Sequence, residues 1–266
     1  MRIFISADIE GTAAIADWSE ALKDGPGYPE FREQMTAEVV AACEAARAAG
    51  ADEVLVKDAH QTGRNLIVSR LPGYVRVLRG WSGHPFAMMF GLDRGFDAAL
   101  FIGYHAKAGA ESNPLAHTMN DRISRLVING EVASEFTVNA YTAALEGVPP
   151  AFLSGDRGIC EDAQRLVPGI GTVAVSEGFG RAALSMAPSR AVADIRAGVE
   201  HALSQDLSAC RLALPERFEL LIEFNNPTDA YRASWYPGAE HPAARTLRYV
   251  SDEYFEVLRA IRFLTA

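Results

Sequence analysis

The chain has 266 residues, 49% of them hydrophobic, enough to bury a full core in one large domain or two modest ones. Its net charge of -9 argues against a basic nucleic-acid surface, and no apolar run approaches the roughly 18 residues of a membrane span. Cys43, Cys160 and Cys210 are too few and too scattered for a disulfide framework, which points to a reducing compartment.

The sequence enters at once on a short strand-like run, Arg2 to Ala7, closed by Asp8 and Glu10, without the basic and apolar regions of an export signal; a cytoplasmic protein is expected. Phe31, Met35, Val39, Cys43 and Ala46 then recur at helical spacing, with Gly50 as the left-handed stop. Glu53 to Lys57, Val75 to Leu78 and Ala98 to Tyr104 read as further strands. Leu126 to Ala133 reads as a hairpin about Asn129-Gly130, and Ser134 caps a helix running from Glu135 to Glu146. Ala151 to Ser154 and Thr172 to Val175 continue the alternation of strand and helix. From Arg181 the pattern changes to a helix near Ser189 to Ser204, strands Phe218 to Phe224 and Thr246 to Val250, and a last helix from Asp252.

This order predicts an α/β fold: a mainly parallel, Rossmann-like sheet flanked by helices, with a smaller α+β C-terminal lobe. The division is expected near residue 180, giving a catalytic lobe over 1–180 and a small lobe over 181–266, with segments free to cross between them. Gly178-Phe179-Gly180-Arg181-Ala182-Ala183 has the spacing of a dinucleotide-binding turn, but no acidic strand end follows at the required distance. A plain glycine loop before a helix suffices there.

Ligands of open α/β sheets bind beyond the carboxyl ends of the strands. Asp8 and Glu10 follow the first strand at a spacing of two, which in extended chain turns both carboxylates to one side. His60 follows the second strand, with Asp58 available to orient its ring, and His105 follows the strand ending at Tyr104. Glu135 opens a helix, where a carboxylate is common in any case. Singly, each is as well explained by a solvated strand end, a core-edge histidine or an ordinary first helical turn. Together they are three carboxylates and two imidazoles, an oxygen and nitrogen donor set suited to zinc, with manganese and cobalt as alternatives. Five donors exceed what a single catalytic zinc takes from a protein and fit two ions sharing a carboxylate.

His117 lies in the aperiodic stretch from Ala106 to Ser124, long enough to be functional, and is a candidate acid, base or nucleophile. Lys107 and Arg122 flank that stretch and can hold a substrate carboxylate or stand in solvent.

At Ser6 to Gly11, Val56 to His60, Gly103 to Ala108, His117-Thr118-Met119 and Glu135 with Asn139-Ala140-Tyr141, the sequence resembles the D-aminopeptidases of bacterial dipeptide operons, peptidase family M55. The resemblance spans the whole chain. It implies a two-lobed hydrolase with two Zn2+ per subunit on Asp8, Glu10, His60, His105 and Glu135, Asp8 bridging, and His117 as the catalytic residue. It implies release of an N-terminal D-residue, above all D-alanine, from short peptides, and a homo-oligomer closed into a homodecamer ring. A metal-dependent amidohydrolase acting on a non-peptide amide would keep every ligand, whereas a peptide-binding transport component should carry an export signal.

Overall fold

The computed structural model describes residues 1–266. In chain order the elements are β1 (Arg2–Ala7), α1 (Trp18–Ala21), α2 (Tyr28–Ala48), β2 (Glu53–Asp58), β3 (Val75–Leu78), β4 (Ala98–Tyr104), β5 (Ile123–Ile128), β6 (Glu131–Val132) and α3 (Glu135–Leu145). There follow β7 (Pro150–Asp156), α4 (Arg157–Leu166), β8 (Gly171–Phe179), β9 (Ala182–Ser185), α5 (Pro188–Ser204), β10 (Phe218–Phe224), α6 (Pro227–Ala233), β11 (Glu240–Ala243), β12 (Thr246–Ser251) and α7 (Tyr254–Leu264).

Seven strands form one sheet in the order β3-β2-β1-β4-β7-β8-β9, parallel except for β9, which runs antiparallel to β8. Alternate residues of the central strands enter opposite cores, as the two-residue period of a strand requires. Ile3 and Ile5 pack with Met35, Val39, Ile195 and Val199 of α2 and α5, whereas Phe4 and Phe101 pack with Phe136 of α3 and with the second sheet. Burial on both faces explains why these strands read as continuous apolar runs.

The second sheet is antiparallel, in the order β11-β12-β10-β5-β6. Its strands come from both sides of residue 180: β5 pairs with β10 on one edge and with β6 on the other, whereas α5, from beyond 180, lies against α2 and β8 of the first sheet. The β5–β6 turn is as the Asn-Gly pair predicts, with φ of 51° at Asn129 and 85° at Gly130.

The glycine-rich segment after residue 175 departs from expectation. In place of a loop before a helix, β8 runs on through Gly178 to Phe179, and Gly180, at φ 61°, turns the chain straight back into β9. Only glycine takes that angle without steric cost, so this was a hairpin signal. The structure also adds the short helix α1, whose Asp17 and Glu20 form a reciprocal capping box.

Sheet order reverses about β1, with β2 on one side and β4 on the other. That crevice, between the carboxyl ends of β1 and β4, is where open α/β sheets take ligands.

Candidate metal centre

The in-register ends Ala7↔Asp58 and Ala7↔Ile102 bring the segments after β1, β2 and β4 side by side. Asp8 N–H donates to the Ile102 carbonyl (2.8 Å) and Gly11 N–H to the Gly103 carbonyl (2.9 Å), stitching the Asp8–Gly11 turn to the end of β4. A Cβ on Gly11 would lie 1.7 Å from the Tyr104 carbonyl oxygen, so only glycine allows this approach. Ser134 caps α3 and aims Glu135 at the same spot from the opposite side.

The structure brings all six candidate residues together. His60 Nδ1 lies 3.0 Å from Glu10 Oε1 and 3.4 Å from Asp8 Oδ1; His105 Nε2 lies 3.7 Å from Asp8 Oδ2 and 3.6 Å from Glu135 Oε2. His117 Nε2 is 3.6 Å from Glu135 Oε1, and its ring stacks on that of His105 at 4.3 Å. Two sets of donors, Asp8/Glu10/His60 and Asp8/His105/Glu135, each converge within 4.8 Å and have Asp8 in common; Glu10, His105 and His117 form a third.

Each imidazole is oriented by its outer nitrogen. His60 Nε2 donates to the Ala21 carbonyl (3.0 Å), His105 Nδ1 to that of Ala106 (3.0 Å) and His117 Nδ1 to that of Leu115 (2.9 Å), which leaves the inner nitrogens with lone pairs facing the carboxylates. Asp58 therefore does not hold the His60 ring, contrary to the sequence reading. It accepts from Asn65 N (2.6 Å), Asn65 Nδ2 (2.7 Å) and Leu66 N (2.8 Å), and Asn65 Nδ2 also reaches the His60 carbonyl (2.7 Å). Asp58 thus folds the loop that carries His60.

The residues fit divalent cations. Glu10 Oε2 and His105 Nε2 are buried without a hydrogen-bond partner, a costly state for an anion and a lone pair unless a cation completes it. Two donors at about 2.1 Å from one tetrahedral ion stand roughly 3.4 Å apart, close to the separations between the inner nitrogens and the carboxylates.

With no cation bound, protons shared between the carboxylates and imidazoles carry the charge of this cluster. Burial, with the neighbouring Glu10 charge, pushes Asp8 well above the carboxylate range, while Glu10, despite burial, is held well below it by His60. Burial lowers His105, yet Glu135, Glu10 and Asp8 carry it up to about 10. Against burial, the Glu10 and Asp8 carboxylates likewise raise His60 well above its ordinary value.

The centre opens into a cavity of about 530 Å³ between the two sheets, walled by Trp18, Trp81, Phe86, Met119, Asn139 and the inner face of α7. Neither basic residue singled out from sequence lines it: Lys107 pairs with Asp162 (2.5 Å), and Arg122 bonds the Thr265 carbonyl (2.6 Å). Two further residues shape the site: Asp156, unmarked in the sequence, and Asn139, named there only within the Asn139-Ala140-Tyr141 match. Asp156, at the end of β7, caps α4 and accepts from Ala106 N (2.7 Å) and Asn113 Nδ2 (3.1 Å), shaping the loop after His105. Asn139 Nδ2 donates to the Tyr104 hydroxyl (2.9 Å), itself 2.7 Å from Ser6 Oγ, so the amide is anchored below the cavity floor. Asp156 followed an apolar strand just as Asp8 did, and that signal was available.

Fold and centre together define a metallohydrolase, and the family model of the peptidase M55 D-aminopeptidases matches residues 1–263. The chain belongs to this family, a metallo-aminopeptidase among the hydrolases. It is similar to the D-aminopeptidase of Bacillus subtilis (strain 168), with 30% identity over 267 residues covering 100% of this chain and 97% of the relative. Among solved structures it is similar to the Zn-dependent D-aminopeptidase DppA from Bacillus subtilis, described as a self-compartmentalizing protease, with a TM-score of 0.93, 29% identity and coverage of 100% and 97%.

Proposed function

We propose that the protein is a dinuclear zinc aminopeptidase that releases the N-terminal residue, a D-amino acid such as D-alanine, from short peptides. The observation that carries this reading is the pair of donor sets sharing Asp8, with Glu10 Oε2 and His105 Nε2 buried and unsatisfied between them. Asp8, Glu10 and His60 would hold one ion, and Asp8, His105 and Glu135 the other. Divalent ions bound there supply Lewis acidity that polarises a scissile carbonyl and acidifies water.

His117 handles protons. Its Nδ1–H is committed to the Leu115 carbonyl, so Nε2 is free to accept a proton at the reaction centre and return it to the leaving amine. Stacking on His105 and the edge-on Trp18 ring at 5.2 Å keep the imidazole from rotating away. Asp121, a further carboxylate on the cavity wall, favours a substrate carrying a free ammonium group, as an exopeptidase requires.

We place the protein in the cytoplasm, a site consistent with three unpaired, buried cysteines. We also take it to close into a homodecamer ring, by analogy with a relative described as self-compartmentalizing. The activity is tested by incubating metal-loaded enzyme with D-Ala-D-Ala and L-Ala-L-Ala and measuring released alanine. Preferential release from the D-dipeptide is expected; turnover of neither, alongside cleavage of a non-peptide amide, would overturn the reading.

A further inference from the structure

The cavity has an acidic floor at Asp8, Glu10 and Glu135 and, on the wall contributed by α7, one cation other than histidine: Arg262. Leu258, Ile261 and Arg262 of α7 and its C-cap Thr265 all line the cavity, and their spacing places them along one stripe. Arg262 is half-buried, and no protein carboxylate lies within 4.0 Å of its guanidinium. The nearby basic residues are already engaged: Arg122 by Thr265 and Asp229, Arg232 by the Ala266 oxygen (2.6 Å), Arg259 by Glu256 (2.9 Å). Arg262 alone is left facing the cavity without a partner. Phe86, Val138, Leu258 and Ile261 make part of the cavity wall apolar, which reduces the water available there to screen a charge.

We infer that Arg262 is the specificity residue for the free C-terminal carboxylate of a short peptide substrate, an inference that rests on the peptidase reading above. A dipeptide is a zwitterion whose ammonium suits the acidic side of the cavity and whose carboxylate suits a planar guanidinium, which binds it through two parallel hydrogen bonds. A cavity of about 530 Å³ encloses a ligand of that size. Arg262 thereby selects for chain length: a free carboxylate close to the scissile bond is recognised, and a capped or distant one is not. The role that Lys107 and Arg122 were candidates for from sequence falls to a residue of the last helix.

The test uses the reduced-amide isostere of D-Ala-D-Ala, in which a CH2 replaces the scissile carbonyl, as the free acid and as the C-terminal amide. Both are titrated by calorimetry into metal-loaded wild-type enzyme and the Arg262→Gln and Arg262→Lys variants. The expected result is tighter binding of the acid than of the amide by wild type, an advantage of about tenfold to a hundredfold that Arg262→Gln abolishes and Arg262→Lys restores in part. Equal binding of acid and amide by wild type, binding of neither, or a loss in Arg262→Gln that is the same for both would overturn the assignment. Release of D-alanine from D-Ala-D-Ala, measured alongside, reports on the peptidase reading separately.

Discussion

At His117 the backbone decides which nitrogen can react. With Nδ1–H donated to the Leu115 carbonyl, Nε2 is the proton acceptor, and it stands 3.6 Å from Glu135 and outside the two donor sets that share Asp8. His117→Ala is therefore expected to lower kcat on D-Ala-D-Ala by about 10² to 10⁴ while bound metal stays at the wild-type level. Loss of metal in parallel would instead make His117 a ligand. Glu38 supplies a second residue-scale prediction. It is buried on α2, accepts from Ala13 N (2.9 Å) and Gln34 Nε2 (2.8 Å), and burial pushes its carboxyl up from 4.5 to about 7. Because the folded state holds this proton more tightly than the unfolded chain, the stabilisation is full below pH 4.5 and is lost as pH rises through about 7. The amount is about 3 kcal/mol. Urea unfolding across pH 4.5 to 8 should show Glu38→Gln gaining on wild type by that order, and curves that stay parallel would refute the assignment.

At the scale of elements, each strand end delivers a side chain and the following loop fixes its angle. Asp58 shows how: three hydrogen bonds to Asn65 and Leu66 close the loop that carries His60. Asp58→Ala should weaken zinc affinity by about tenfold to a hundredfold with the far-ultraviolet circular dichroism unchanged; unchanged zinc affinity would show that the loop holds its shape alone. This element also marks where sequence reading stopped. That His60 and Asp8 follow adjacent apolar strands was legible, since strand periodicity is local and the carboxyl ends of parallel strands share one rim. That Asp58 bonds Asn65 rather than the His60 ring was not, because it depends on how a loop folds back. The extension of β8 into the β9 hairpin was misread for a related reason: Gly178-Phe179-Gly180 is compatible with a loop or a turn, and only pairing with Ala182 to Ser185 decides. Arg262 was illegible because which face of α7 meets a cavity is set by docking, not by the period of the helix.

For the molecule as a whole, the seven-stranded sheet supplies Asp8, Glu10, His60 and His105, while Glu135 comes from α3, the helix packed between that sheet and α7. A buried cluster of three carboxylates couples metal binding to folding, since the unfolded chain has no such site. Chelation should lower the melting temperature by about 10 °C when compared with free zinc at about 1,000 times its Kd. An unchanged melting temperature would mean the protons of the site suffice. Assembly is read by light scattering: Trp235 is 74% and Leu184 66% exposed in the single chain, and a ring of ten is expected to cover such apolar surface. A monomer at micromolar concentration would exclude the ring.

The most direct test of the account is the metal content of the purified protein, measured by inductively coupled plasma mass spectrometry for wild type and for Asp8→Ala. The shared position of Asp8 predicts close to two zinc ions per wild-type chain and loss of both in the variant. One ion per wild-type chain, or a variant that retains its full complement, would contradict a dinuclear centre built on Asp8.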